Sequence, residues 1–207
     1  MHPNPIFHDA ETTQNLDFAR ARGFGVLAVA GQGAPLISHI PFLLSQDGQW
    51  AELHLVRSNP IVRALKAPMP ARIAVNGPDG YVSPDWYGVA DQVPTWNYVA
   101  VHLQGELELL PSEELRDLLD RQSAFYESRL LPKPPWSTAK MDPDALARMR
   151  RMIVPARMRV TGVDGTWKLS QNKSDAARKS VAAQIESGPG AEQQILAALM
   201  QDRIKTT

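Results

Sequence analysis

GFGVLAVAG (Gly23 to Gly31), PLISHIPFLLS (Pro35 to Ser45) and WAELHLV (Trp50 to Val56) follow one another with only short breaks, at Gln32 to Ala34 and at Gln46 to Gln49. The first run is apolar and ends in a Gly-rich turn, and each of the next two is entered through a turn. That pattern predicts strands joined through hairpins. NYVAVHLQGELELL (Asn97 to Leu110) extends it: Leu103, Gly105, Leu107 and Leu109 fall on one side and Gln104, Glu106 and Glu108 on the other, the period of a half-buried strand.

Working outward, Asn59-Pro60 stops the third strand, and IVRALKA after it has helical spacing with Pro60 suited to a first turn. ARIAVNG (Ala71 to Gly77) reads as a further strand, followed by Tyr81-Val82-Ser83 and an aromatic stretch from Pro84 to Trp96. Ser112 reads as the N-cap of a helix to about Arg129, with Glu113 and Glu114 suited to the helix dipole. Leu131 to Asp142, with three prolines, predicts an irregular loop, and Asp142-Pro143 the start of a helix to Arg151. IVPARMRVTGVDGTWKLS returns to strand character around a tight turn at Val163-Asp164-Gly165. Helices from about Ser174 to Glu186 and from Ala191 to Lys205 complete the chain. Strands in the first half and helices at the ends predict a mainly β fold with peripheral helices, a closed β-barrel rather than a parallel βαβ array.

With 207 residues and 43% hydrophobic content the chain suits one well-buried domain. The absence of cysteine excludes disulfides, a thiolate zinc site and a cysteine nucleophile, and fits a reducing cytoplasm. MHPNPIFHDA at the start lacks the regions of a signal peptide, and no apolar run approaches the roughly 20 residues of a membrane span, so no membrane association is expected. Lys plus Arg and Asp plus Glu number 22 each, which removes the overall electropositive excess that concentrates proteins on DNA. The charge is uneven, however. Glu106 to Glu127 carries about −5, and Arg148 to Lys179 is strongly basic. That basic segment could face a phosphate, DNA or the acidic stretch of a partner subunit; two solvated faces of opposite sign would look the same.

No dinucleotide fingerprint, phosphate loop, HExxH or Gly-x-Ser-x-Gly elbow is present. His39, His54 and His102 lie on separate predicted strands without a carboxylate spacing that suggests a metal triad. KLSQNK (Lys168 to Lys173) concentrates two cations, a hydroxyl and two amides, donors and acceptors suited to an anionic planar ligand such as FMN. A polar loop capping a helix at Asn172 or Ser174 would carry the same residues. VPTWNY (Val93 to Tyr98) offers aromatic faces at Trp96 and Tyr98 beside Thr95 and Asn97, as would a strand with a core tryptophan. Arg57-Ser58-Asn59 joins a strand end to a helix start, where free N–H groups and Arg57 suit a phosphate; a simple capped junction has the same residues.

SHIPF (Ser38 to Phe42), HLVRSNP (His54 to Pro60), GPDGYVSPDWY (Gly77 to Tyr87), VPTWNY and KLSQNK, in this order, resemble the motifs of PaiB-like proteins, the FMN-binding negative transcriptional regulators. The initial MHPNPIF also resembles the start of that family. The resemblance implies a split β-barrel of the pyridoxamine-phosphate-oxidase-like FMN-binding type, with residues 1 to 207 as a single domain carrying C-terminal helices. It implies a homodimer with FMN at the subunit interface and a repressor role; with balanced charge and no recognisable helix-turn-helix, DNA contact would depend wholly on Arg148 to Lys179. By position, Arg57, Ser58 and Asn59 belong at the FMN phosphate, His39, Trp96 and Asn97 near the ring, and Lys168, Gln171 and Asn172 against the flavin of the same or the other subunit. A flavin-dependent oxidoreductase acting on a small molecule is the alternative, because such barrels also support enzymes.

Overall fold

A computed structural model describes residues 1 to 203. Six antiparallel strands, β1 (Phe24–Val29), β2 (Leu36–Leu44), β3 (Trp50–Val56), β4 (Met69–Val82), β5 (Thr95–Leu109) and β6 (Ile153–Lys168), close into a barrel in the order β1-β2-β3-β6-β5-β4. The predicted mainly β barrel is thus the observed one, and closure leaves no exposed sheet edge. The chain divides into two compact units, each assembled from separated segments.

One unit comprises Ala19–Val75 and Leu103–Val163. Here the predicted hairpin pairs Val26 with His39 and Val29 with Leu36, and β3 pairs with β6 from Trp50↔Arg159 to Val56↔Ile153. Alternation fills the interior. Leu27, Phe42, Leu53, Ile73, Leu103, Leu107 and Met158 are fully buried, and each such side chain contributes about 1.5–3 kcal/mol relative to an exposed one. Gly105 is required by close approach, since a Cβ there would lie 1.9 Å from the carbonyl oxygen of Arg159. Three helices belong to this unit. α2 (Pro60–Ala64) is capped by the Asn59 side chain on Ile61 N–H, α3 (Leu115–Glu127) buries Leu115, Leu118 and Gln122, and α4 (Pro143–Arg150) is capped by Asp142 on Ala145 N–H.

The other unit comprises Met1–Phe18, Asn76–His102 and the described residues from Asp164 onward. α5 (Asp175–Glu186) and α6 (Ala191–Asp202) pack with Val82, Tyr87, Val99, Trp167 and Leu169 into a core containing Val181, Leu196 and Met200. Trp167 Nε1 donates to Asn15 Oδ1 at 2.8 Å, which satisfies two polar groups that burial would otherwise strand. Asn15 belongs to α1 (Thr12–Arg22), a helix that sequence reading missed because TTQNLDFARAR has no apolar stripe.

Several boundaries are corrected. Val163-Asp164-Gly165 is not a turn: β6 runs unbroken from Ile153 to Lys168. Gly165 serves close packing instead, a Cβ there falling 2.0 Å from Asn15 Oδ1. β4 likewise continues through Gly77-Pro78-Asp79-Gly80, with Gly77 held against Val99 of β5. Ser112 does not cap α3, because it lies within a short 3₁₀ turn (Ser112–Glu114) and its hydroxyl bonds the Glu113 carboxylate. The predicted helix end at Lys205 lies outside the described residues. Among the described residues, no helix is long and apolar enough to cross a membrane.

Candidate functional site

The unit containing α5 and α6 has a cavity of about 260 Å³ at the start of β5 and the end of β6. Asn97, Lys168 and Asn172, all singled out from sequence, line it. Strand alternation explains Asn97: it points inward and is fully buried, while its neighbour Trp96 is 53% exposed. Asn97 Nδ2 donates to Ser170 Oγ at 2.9 Å and approaches Met200 Sδ at 3.4 Å, and the Tyr87 hydroxyl lies 3.2 Å from the same Ser170 oxygen. Ser170 takes a left-handed conformation (φ 62°), which turns the chain directly after β6 and aims Asn172 and Lys173 toward the cavity. Gln171 supports that turn rather than the cavity. Its Oε1 accepts from Leu169 N–H at 2.7 Å and its Nε2 donates to the Trp167 carbonyl.

Lys168 Nζ donates to Thr95 Oγ1 at 2.6 Å and to the Trp96 carbonyl, which leaves one N–H of the ammonium for a ligand. Burial, and then the charge of Lys173, pull the Lys168 ammonium below its ordinary pKa. Lys173 Nζ donates to Gln92 Oε1 and lies over the Tyr87 ring, 5.2 Å from its centroid. Phe7 closes another side, its ring 5.7 Å from Lys168 Nζ, with His2 and Asn4 from the same segment beside it. Trp96 does not line the cavity; its ring meets Tyr81 edge-on at 6.4 Å.

The remaining sequence-singled residues lie in the other unit. His39 is exposed on β2, its ring stacked at 6.5 Å on Phe24. Asn59 reaches back to β2, where Nδ2 donates to Ser38 Oγ at 3.1 Å, and Ser58 between Arg57 and Asn59 is exposed. Arg57 is directed to β6 instead, its Nε donating to the Arg151 carbonyl at 3.0 Å and its Nη2 to that of Ile153 at 3.4 Å. The structure therefore joins Ser38 and Asn59 and separates Arg57 from them. The two charged tracts of the sequence meet within one chain: Arg157 pairs with Glu108 at 2.7 Å and Arg159 with Glu106 at 3.1 Å.

Ser170, Lys173 and Thr95, polar groups of the quoted KLSQNK and VPTWNY motifs, also line the cavity, as does Tyr87, to which sequence reading gave no role although it ends GPDGYVSPDWY. Sequence reading also missed His2, Asn4 and Phe7, for which no local pattern signals a role at a distant strand end. Among the described residues no group of three or more His, Asp or Glu side chains forms a metal site.

The cavity's donor set fits a flavin in kind: ammonium groups for an anion, amides for a pyrimidine edge, and aromatic walls. Its volume lies below the roughly 300–1,000 Å³ of sites that enclose a whole small ligand. Comparison with known proteins agrees. The model of the family described as "Putative FMN-binding domain" matches residues 1–162. Protease synthase and sporulation protein PAI 2 of Bacillus subtilis is 31% identical over 193 residues, covering 91% of each chain, in line with the PaiB-like resemblance. An uncharacterized protein of Emericella nidulans is 24% identical over 228 residues, covering 90% of this chain and 91% of its own. Among solved structures, a FAD and heme binding protein from Mycobacterium smegmatis superposes with a TM-score of 0.55 at 17% identity, covering 86% of this chain and 79% of its own. At that identity the likeness shows the fold alone, a split barrel. A family match over most of the chain and a full-length relative lead to one conclusion: the chain belongs to the FMN-binding domain family, and FMN is the cofactor that this membership assigns.

Proposed function

We propose that the chain is a cytoplasmic flavoprotein regulator of the PaiB type, a homodimer that holds FMN between two copies. The observation that carries this is the convergence of Lys168, Lys173, Asn97 and Asn172 on one cavity in a member of an FMN-binding family. In this reading the free N–H of Lys168 meets an anionic group of the flavin and the Asn97 and Asn172 amides meet the pyrimidine edge. Trp96, exposed beside them, covers a ring face, and Gln171 acts through the turn it stabilises. His39 serves the ring. Ser58 and Asn59 serve the phosphate end, with Arg57 adding positive potential while its fork stays bonded to Arg151 and Ile153. The small cavity supports the dimer, since a flavin half enclosed by one chain needs a second surface to exclude water. Bound FMN supplies redox chemistry; the residues named here bind and orient it.

Absorbance of the purified protein in the flavin bands, followed by FMN titration with fluorescence quenching and light scattering, tests the reading. A colourless monomer that does not quench added FMN refutes it. The repressor role rests on the resemblance, and Arg148 and Lys179 of the basic segment form no ion pair among the described residues that would neutralise them for DNA. A DNA mobility shift that persists in Arg148→Glu/Lys179→Glu excludes that surface. A flavin-dependent oxidoreductase is the second reading, favoured by Lys168, whose lowered pKa eases proton donation at the cavity. Absence of NAD(P)H oxidation by the FMN-loaded protein counts against it.

A further inference from the structure

The barrel unit has a second cavity of about 530 Å³, where β3 ends and β6 begins, and four arginines line it: Arg57, Arg116, Arg150 and Arg151. A single carboxylate, Glu113, faces them. Several acids of this unit pair elsewhere. Glu108 and Glu106 pair with Arg157 and Arg159, and Arg121 takes Glu52 and Asp117. Arg116 meets Asp120 at 3.7 Å on an exposed face of α3, a geometry that contributes little. Among the described residues no carboxylate lies within ion-pair distance of Arg57, Arg150 or Arg151. The acidic and basic tracts of the chain therefore cancel along β5 and β6 and leave an uncompensated positive charge concentrated here.

That charge is held by main chain rather than by counter-ions. The Arg57 guanidinium is fixed by the carbonyls of Arg151 and Ile153, and its backbone N–H donates to the Met152 carbonyl at 2.8 Å. Arg150 lies in the last turn of α4, where the helix dipole favours a cation without neutralising it. Like charges gathered in a concave site favour an anion of high charge density, and guanidinium forks match phosphate oxygens bidentately. The size is that of a small-molecule site, and its concavity suits a compact ligand better than the convex backbone of a duplex.

The geometry points to a second ligand site in this protein, separate from the flavin: an anion site for a small phosphorylated molecule, bound by Arg116, Arg150 and Arg151 with Arg57 as a fixed wall. Glu113 then adds specificity by accepting from a hydroxyl or amino group of the ligand.

The test is calorimetric titration of the FMN-loaded protein with inorganic pyrophosphate, with flavin fluorescence recorded in parallel. Binding at or below about 1 mM is expected, weakening as salt rises, with the flavin signal unchanged. Arg150→Ala/Arg151→Ala should weaken pyrophosphate binding by about tenfold or more and leave FMN quenching as in the parent. Arg116→Glu, on a different helix, should do the same and guards against misfolding of the double variant. Absence of pyrophosphate binding by the parent, or equal binding by both variants, overturns the proposal. So does release of FMN by pyrophosphate, which would make this cavity the flavin's own phosphate end. Failure of the protein to bind FMN, with pyrophosphate still bound and lost in the variants, would refute the flavin reading and leave this site standing.

Discussion

Ser170 offers the sharpest test of the site's construction. Its hydroxyl bonds the fully buried Asn97 amide at 2.9 Å and the hydroxyl of Tyr87 at 3.2 Å, and its backbone holds φ at 62°. Ser170→Ala removes the shared oxygen and leaves two buried polar groups without a good partner, since the Met200 sulfur at 3.4 Å is a weak substitute. Each stranded group costs about 1–3 kcal/mol, and because the two share one partner the sum is about 2–4 kcal/mol. Ser170→Gly loses the same hydroxyl but relieves a left-handed conformation that costs a non-glycine residue about 1 kcal/mol. The glycine variant should therefore be the more stable of the two by about that amount. Urea unfolding of the flavin-free protein reads both values from the midpoint, provided the m-value is unchanged. If Ser170→Ala lies within about 0.5 kcal/mol of the parent, or if the glycine variant is the less stable, the network does not hold the turn as argued.

Lys168→Ala should weaken FMN binding by about tenfold or more, measured by fluorescence quenching, because a charge-assisted bond from a half-buried ammonium is lost. Gly105→Ala should destabilise by about 1–3 kcal/mol or more in thermal melts, since the new methyl meets the Arg159 carbonyl at 1.9 Å and β5 must move. Burial lowers the pKa of His54, partly opposed by Gln122. Its stabilising contribution is therefore complete above the ordinary histidine value near 6.5 and is lost as pH falls below that value, where the unfolded chain takes up a proton that the folded chain resists. His54→Gln should flatten the stability profile just below the ordinary histidine value, and an unchanged slope would remove His54 as its source.

The barrel was legible because its strands obey the period-2 rule and are separated by turn residues. From Gly23 to Val56 each expected strand matches an observed one to within three residues. Errors came where glycine marks crowding rather than turning. Gly77 and Gly165 sit in continuous strands because Val99 and Asn15 press on them, and no local pattern distinguishes that from a turn. The site was legible in part. Asn97, Lys168 and Asn172, singled out from sequence, line one cavity, whereas Gln171 and Arg57 spend their donors on main-chain carbonyls, a choice that tertiary geometry makes. Phe7 and Asn4 join the cavity across more than 160 positions of chain from Lys168, a distance over which sequence spacing carries no information.

Arg157 with Glu108 and Arg159 with Glu106 keep a constant index sum, as facing residues of two antiparallel strands must. Sliding β5 past β6 by two residues would preserve every apolar contact face but would leave one acid and one base of this set unmatched, and a slip the other way would do the same. Alternation alone does not distinguish these registers, while the charges do, together with the close approach of Gly105 to the Arg159 carbonyl. The two oppositely charged tracts thus act as an alignment key for barrel closure. Exchanging the signs on both strands together should preserve stability, whereas exchanging them on one strand places like charges opposite each other and should destabilise the barrel.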